Sequence, residues 1–407
     1  MQNNIMTNLP QGWKMETLGE ILSSDKYSIK RGPFGSTLKK SFFVEKGIRI
    51  FEQYNPINND PHWKRYFISH EKFQELEAFK ATEGDLLISC SGTLGKIVEL
   101  PKDTEMGIIN QALLKIRLNN IKILNSYFIY YFNSPIMQEK ILESTLGSTI
   151  KNIASVKILK QIEIPLPPLK KQERIVGILD ESFAKIDESI KILEQDLLNL
   201  DELMQSALQK AFNPLKDNAK ENYKLPQSWE WKSLEEISEN ISAGGDKPKN
   251  CTESKTAKNQ IPVYANGVNN NGLVGYTDKA TIIKPSLTIS ARGTIGFVCI
   301  RKEPYFPIVR LISLIPCENI LCLHYLYFCL NFFIAKGEGS SIPQLTIPKF
   351  KSLQIPLPPL KEQEQIAKHL DFVFEKTKAL KELYTKELKD YEELKQSLLN
   401  KAFKGEL

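Results

Sequence analysis

The residues closest to a catalytic pattern in this chain are Asp246 and Glu253-Ser254-Lys255, an acid followed by an acid-x-Lys pair of the kind that holds Mg²⁺ for phosphodiester cleavage. Metal ligands need a rigid supporting shell, and this segment is polar and loop-forming, which argues against a nuclease centre. Gly92-Thr93-Leu94-Gly95-Lys96-Ile97 lacks both the upstream glycine and the hydroxyl after the lysine that a nucleotide-hydrolysing loop requires. Asn55-Pro56-Ile57-Asn58 lacks the second proline and the aromatic of the Asn-Pro-Pro-aromatic segment of amino-methyltransferases. The glycines sit among strand-like segments, whereas a dinucleotide or adenosylmethionine site needs a Gly-rich turn between a strand and a helix. Four scattered histidines (His62, His70, His324, His369) offer no zinc spacing. The six cysteines (Cys90, Cys251, Cys299, Cys317, Cys322, Cys329) contain no Cys-x-x-Cys pair and read as small core groups. The chain reads as one that binds and measures, with no catalytic residue, metal site or cofactor of its own.

What it binds is suggested by charge. The net charge is +6, and its distribution is uneven. Leu9 to Glu163 holds 21 Lys and Arg against 17 Asp and Glu, and Leu225 to Gln354 holds 14 against 10. Ile164 to Lys224 holds 9 against 11, and Ile355 to Leu407 is balanced at 10 of each. The positive excess therefore lies in two regions, which favours a polyanionic partner at both. No apolar run reaches the roughly 18 to 20 residues of a membrane span, and Met1 to Pro10 is polar with no apolar signal core. A cytoplasmic protein with no membrane partner is expected.

The elements that must position those charges come as a duplication. Ile164-Pro165-Leu166-Pro167-Pro168-Leu169-Lys170 returns as Ile355-Pro356-Leu357-Pro358-Pro359-Leu360-Lys361. Gln205-Ser206-Ala207-Leu208 with Lys210-Ala211-Phe212 returns as Gln396-Ser397-Leu398-Leu399 with Lys401-Ala402-Phe403, so both pairs are offset by 191 residues. Leu9-Pro10-Gln11-Gly12-Trp13 matches Leu225-Pro226-Gln227-Ser228-Trp229 at an offset of 216, and Ser89-Cys90-Ser91-Gly92-Thr93 partly matches Ser290-Ala291-Arg292-Gly293-Thr294. The period is far too long for a solenoid. Each half reads as a variable globular region followed by an arm of fixed length.

The arms carry a helical seam. In the first, Leu179, Ile186, Leu193 and Leu200 recur every seven residues beside Phe183, Ile190, Leu197 and Met204. In the second, Leu370, Thr377, Tyr384, Tyr391 and Leu398 form the equivalent row, with Val373, Phe374, Leu380, Leu388 and Leu394 placed less regularly beside it. Each helix runs about 40 residues, or about 60 Å, and cannot bury its stripe alone, so the two are expected to pair. Outward positions such as Lys185, Glu188, Lys191, Glu194, Lys378 and Glu382 remain for other partners. The globular regions read as mixed α and β: strands at Asp85–Ser89, Gly107–Ile116, Ser286–Ser290 and Phe297–Ile300, helices at Tyr127–Phe132 and Tyr325–Phe333, and a loop-rich stretch between Gly244 and Gly275.

With Lys170-Lys171-Gln172-Glu173 and Lys361-Glu362-Gln363-Glu364 following the repeated Ile-Pro-Leu-Pro-Pro-Leu, and each helix closing in Gln-Ser-x-Leu-x-Lys-Ala-Phe, the sequence resembles the specificity subunit of type I restriction-modification systems over essentially its whole length. The resemblance implies an α+β chain with pseudo-twofold duplication. Two mixed α/β target recognition domains (1–163, and 215–354 including a linker) would be joined by two helical arms (164–214 and 355–407) that pair as an antiparallel coiled coil. It implies double-stranded DNA as ligand, one half-site per domain, with the arms as a ruler. It also implies two modification (methyltransferase) subunits and restriction (motor-nuclease) subunits as partners in phage defence, with S-adenosylmethionine, ATP and Mg²⁺ belonging to those partners. Phosphate or base contacts are expected from Lys30, Arg31, Lys39, Lys40, Lys64 and Arg65 in the first domain. In the second they are expected from Lys247, Lys249, Lys255, Lys258, Asn266, Asn269 and Arg292, the last replacing Ser91 at a matched position. Two alternatives stand beside this reading: a specificity-like adaptor without restriction partners, and a nuclease using Asp246 and Glu253.

Overall fold

The computed structural model describes residues 10–143, 153–212, 225–334, 337–338 and 345–407. It divides into two compact units, one comprising the residues up to Ile192 together with Lys386–Leu407, the other Leu193–Thr385. Residues 213–224, which hold the end of the expected first arm (164–214) and the start of the expected 215–354 region, lie outside the described residues. The division passes through both arm helices, Leu169–Phe212 and Leu360–Lys404, so each unit contains a globular part and a segment of each arm.

In the first unit, strand Lys14–Thr17 follows the Leu-Pro-x-x-Trp opening and pairs antiparallel with Glu163–Leu166 of the proline-rich stop. The ribbon has only two strands, which leaves room for prolines that cannot donate to a ladder. A four-stranded antiparallel sheet follows, ordered Ile29–Arg31, Leu113–Ile116, Leu86–Ser89, Ile97–Glu99. A second, five-stranded sheet is built around the parallel pair Ile48–Phe51 and Gly107–Ile109.

The second unit repeats the plan. Glu230–Ser233 pairs with Gln354–Leu357, and the four-stranded sheet runs Ser238–Ala243, Ile312–Pro316, Ser286–Ile289, Val298–Arg301. The stretch read as loop contains a strand pair, Ile261–Tyr264 with Leu273–Thr277, hidden in the sequence by Pro262 and the surrounding asparagines. The parallel pair is present too, Ile261–Tyr264 with Phe306–Pro307. The stretch Gly107–Ile116 is two strands rather than one, broken at Asn110-Gln111-Ala112 where the Asn110 Oδ1 accepts the Ala112 N–H at 3.0 Å and turns the chain.

The joint between globular part and arm is the same in both units. Gln172, completely buried, accepts the Leu124 N–H at 2.9 Å through Oε1, and its Nε2 donates to the carbonyls of Lys122 and Pro167, each at 2.9 Å. Gln363 does likewise: Oε1 accepts the Cys322 N–H at 2.9 Å, and Nε2 donates to Ile320 (2.9 Å) and Pro358 (2.8 Å). Leu124 and Cys322 immediately precede helices Asn125–Phe132 and Leu323–Phe333, so one amide ties a helix start, a loop and the Pro-rich stop together. The buried hydroxyls of Tyr127 and Tyr325 add bonds to the carbonyls of Pro165 (2.8 Å) and Pro356 (2.7 Å).

Within each unit the two arm segments run antiparallel. In the first, Leu179 packs in one core with Leu399, Ala402 and Phe403, while Asp187, two turns further on, meets Lys395 at 2.5 Å. Phe403 meets the edges of Tyr127 and Tyr131 at centroid distances of 5.4 and 5.1 Å. In the second unit Leu208 and Phe212 share a core with Ala367 and Leu370, and Phe212 meets Tyr325 at 5.6 Å.

Of the seam residues, Leu179, Ile186, Leu193 and Leu200 are buried, and Phe183, Ile190, Leu197 and Met204 half-buried. Leu370 is buried, and Phe374, Tyr384, Leu388, Tyr391 and Leu398 are half-buried. The second row of the second arm differs from expectation: Leu380 and Leu394 are 39% and 45% exposed. One residue of helix rotates a side chain about 100° off the stripe. Lys381 and Lys395, in step with Phe374 and Leu388, take those places and reach Asp201 and Asp187.

Candidate nucleic-acid interface

The described residues contain no cluster of three or more His, Cys, Asp or Glu that could hold a metal. Asp246 and Glu253 are both exposed. Gly92–Lys96 forms a hairpin turn, with Gly95 N–H donating to the Ser89 carbonyl at 3.0 Å and Lys96 N–H to the Ser89 Oγ at 3.0 Å. Asn55 is a buried staple, its Oδ1 accepting the Glu52 N–H and its Nδ2 donating to the carbonyls of Asp60 and Trp63. The cysteines are all free thiols, and burial pushes Cys90 up to about 11, far from a reactive thiolate. A recess of 340 Å³ in the first unit is lined by Lys26, Lys80, Lys115 and Arg117 beside Asp25 and Glu77. Two of these cations are spoken for: Lys115 Nζ donates to the Lys80 carbonyl at 2.6 Å, and Arg117 grips the fully buried Asp85 at 2.8 and 2.9 Å.

What each unit does offer is a gathered set of loops. In the first, Gly32 donates its N–H to the Leu113 carbonyl at 2.9 Å, and a Cβ on Gly32 would lie 1.8 Å from the Asn110 oxygen. Only glycine permits this approach, which sets the Arg31–Gly35 loop against the Asn110–Ala112 turn. Cys90 N–H, at the root of the Ser91–Gly95 turn, donates to the Ala112 carbonyl at 2.8 Å. Arg31 Nη2 reaches the Cys90 carbonyl at 3.5 Å, and its guanidinium lies 5.7 Å from the ring of exposed Phe34.

The second unit repeats the close approach with other chemistry. Gly244 N–H donates to the Leu311 carbonyl at 2.8 Å, and its Cβ would lie 2.6 Å from the Ile308 nitrogen. Asn266 bridges the set: Oδ1 accepts the Ala291 N–H at 2.8 Å and Nδ2 donates to the Val309 carbonyl at 2.6 Å. An amide side chain thus stands where the first unit has a direct backbone bond. Asn270 and Asn271 (φ 47° and 52°) and Val309 and Arg310 (φ 53° and 60°) lie in the left-handed region. Asparagine tolerates that conformation, whereas for a β-branched valine it is a true outlier.

The candidate residues divide accordingly. Arg31, Asn266, Asn269 and Arg292 belong to these loop sets, and Asn266 spends one donor and one acceptor on holding its loops together. Asn269 and Arg292 are exposed. Lys30 lies over the rings of Tyr27 (5.4 Å) and Phe79 (5.2 Å) on the sheet edge. Lys64 is paired with Glu105 at 2.9 Å, and Arg65 lies 4.7 Å from the Tyr66 ring, both on the side of the five-stranded sheet. Lys39, Lys40, Lys247, Lys249 and Lys258 are exposed, and Lys255 lies 5.6 Å from the Tyr276 ring. Gln111 and Arg310, both exposed at the tips of matched turns, were not signalled by the sequence, because the turns themselves are visible only once Gly32 and Gly244 are seen to back them.

Comparison with known proteins gives one consistent result. The family model of the type I restriction modification DNA specificity domain matches twice, over residues 10–197 and 226–390. A Mycoplasma pneumoniae protein described as a type I specificity subunit is 33% identical over 221 residues; the match takes in 53% of this chain and about half, 56%, of that relative's length. The EcoBI specificity subunit of Escherichia coli is 23% identical over 359 residues, covering 79% of this chain and 73% of that one. Among solved structures, a chain from a study of assembly and conformational transition in the type I R-M system superposes with a TM-score of 0.80 at 20% identity, covering 99% of this chain and all of that one. The HsdS subunit of Thermoanaerobacter tengcongensis superposes with a TM-score of 0.62 at 20% identity over the whole of both chains. At these identities the superpositions speak for the fold, and the two matches to the family model for the rest: the chain belongs to the type I restriction-modification DNA specificity family.

Proposed function

We propose that this chain is the non-catalytic, sequence-reading subunit of a DNA-modifying and DNA-cleaving complex, in which each globular part reads one half of a split site and the arms fix the unread spacer. The observation that carries this reading is the duplication: two like loop sets, each held to its arm by an identical Gln and Tyr joint, present different side chains. A rigid joint transmits register, and unlike loops give two unlike half-sites. Exposed lysines such as Lys39, Lys40, Lys247 and Lys249 would neutralise phosphates and set position, while amides and guanidinium groups on the loops discriminate bases. Two modification subunits would dock on outward arm positions and supply S-adenosylmethionine chemistry, and restriction subunits would supply ATP-driven cleavage with Mg²⁺.

The test is single-molecule mapping of adenine methylation in cells with and without the gene, and with one heptad inserted in each arm helix, after Ile192 and after Thr385. Deletion is expected to abolish methylation at a split motif, and the paired insertion to lengthen the spacer while leaving both half-sites unchanged. A changed half-site would overturn the ruler. An unchanged methylome on deletion would favour an adaptor without restriction partners.

A further inference from the structure

The turn between the parallel-sheet strand and the central antiparallel strand occupies the same place in both units. It joins Gly107–Ile109 to Leu113–Ile116 in the first and Phe306–Pro307 to Ile312–Pro316 in the second. Each is backed by a glycine whose N–H donates to the residue closing the turn, Gly32 to Leu113 and Gly244 to Leu311. The backbone is therefore held alike while the tips differ. The first tip carries Gln111, the second Val309 and Arg310.

The second tip is strained and nevertheless well fixed. Val309 and Arg310 both have positive φ, yet Val309 N–H donates to the Gly245 carbonyl and Arg310 N–H to the Gly244 carbonyl, each at 2.8 Å, and the Val309 carbonyl accepts from Asn266 at 2.6 Å. Glycine would occupy these positions without strain, so the side chains are kept against a conformational cost. Nor do they serve the interior: Val309 is half exposed, Arg310 is exposed, and among the described residues neither Arg310 nor Gln111 has an internal side-chain partner. A rigid backbone that displays an unpaired long polar side chain is what direct base readout requires.

Building on the function proposed above, we infer that this turn is the base-reading tip in both units: Gln111 selects an A·T pair in one half-site, and Arg310 a G·C pair in the other, with the Val309 methyls beside it available to a thymine methyl. The pairing follows from donor geometry. A glutamine amide matches adenine N6 and N7, and a guanidinium fork matches guanine O6 and N7.

The experiment repeats methylation mapping in cells whose copy of the gene carries Arg310→Gln, Arg310→Ala or Gln111→Arg. Arg310→Gln is expected to change one position of one half-site from G·C toward A·T. Arg310→Ala should lower discrimination there about 10- to 100-fold. Gln111→Arg should convert one A·T of the other half-site to G·C, with spacer and remaining positions unchanged. A motif identical to wild type in the Gln111 and Arg310 exchanges would overturn the inference while leaving the proposed function standing, as would uniform loss of methylation at unchanged motifs by soluble protein, which marks a phosphate contact. A wild-type gene that directs no split motif would remove the proposed function and this inference together.

Discussion

Replacing Gln363 by methionine tests the joint between globular part and arm. Methionine has nearly the same length and volume, so packing changes little, but three backbone groups lose their partner: the part-buried Cys322 N–H and Ile320 carbonyl and the buried Pro358 carbonyl. Each buried group left unsatisfied costs about 1–3 kcal/mol. The two carbonyls lie on loops with some freedom to re-solvate, so we expect about 3–5 kcal/mol, at the upper end for single substitutions. For a unit of this size that lowers its melting temperature by about 6–20 °C. Calorimetry reads the total, and hydrogen exchange reads the place: the Cys322 amide should exchange faster in Gln363→Met while the Leu124 amide, held by Gln172, stays protected. Gln172→Met should give the mirror result. A melting shift under about 3 °C, or equal deprotection of both amides, would refute the reasoning.

Tyr325→Phe, which removes one bond to the Pro356 carbonyl from the same joint, should cost about 1 kcal/mol in a denaturant melt. Gly177 lies exposed in the first arm helix, with nothing within 4 Å of the place a methyl would take, so Gly177→Ala should raise stability by about 0.5–1 kcal/mol on calorimetry. Gly32→Ala would drive a methyl into the Asn110 carbonyl, and should destabilise the first unit by about 1–3 kcal/mol or more, with exchange rising at Leu113 to Ile116. Backbone and side-chain bonds from Thr17, and the side-chain and backbone bonds from Ser233, hold Glu20 and Glu236 below the ordinary glutamate value of 4.5. A depressed carboxylate contributes stability above its unfolded pKa and loses it as pH falls through the folded one. Wild type should therefore melt above the Glu20→Gln, Glu236→Gln double variant at pH 7, and the two should converge well below pH 4.5.

The arms were legible because a heptad pattern is local and repeated: Leu179 through Leu200 needed no tertiary knowledge to place on one face. The exception is instructive. Leu380 and Leu394 stand less regularly beside the second arm's main row, and Lys381 and Lys395 take those places, since their long apolar stems cover the stripe while the ammonium groups reach Asp201 and Asp187. Repetition also marked Gln172 and Gln363, although only the fold reveals that each bridges three backbone groups. The loop residues were legible as a class and poorly as individuals. Lys64 reads the same as Lys39 in sequence, but a glutamate 41 residues away, Glu105, occupies it. Asn266 also bridges loops, a role the sequence hides because its partners, Ala291 and Val309, are distant in the chain.

The presence of Phe403 in the core of the first unit carries a consequence for biosynthesis. Its ring lies against Tyr127 and Tyr131, residues translated more than 270 positions earlier. The nascent first half therefore emerges from the ribosome with its aromatic slot open, and the second half, which includes Phe212 in its own core, can close before it. The slot therefore cannot be filled until the last residues of the chain have been made. During that interval the exposed tyrosines would be a ready target for chaperones, or for the Lys-Ala-Phe helix end of another chain at high expression levels.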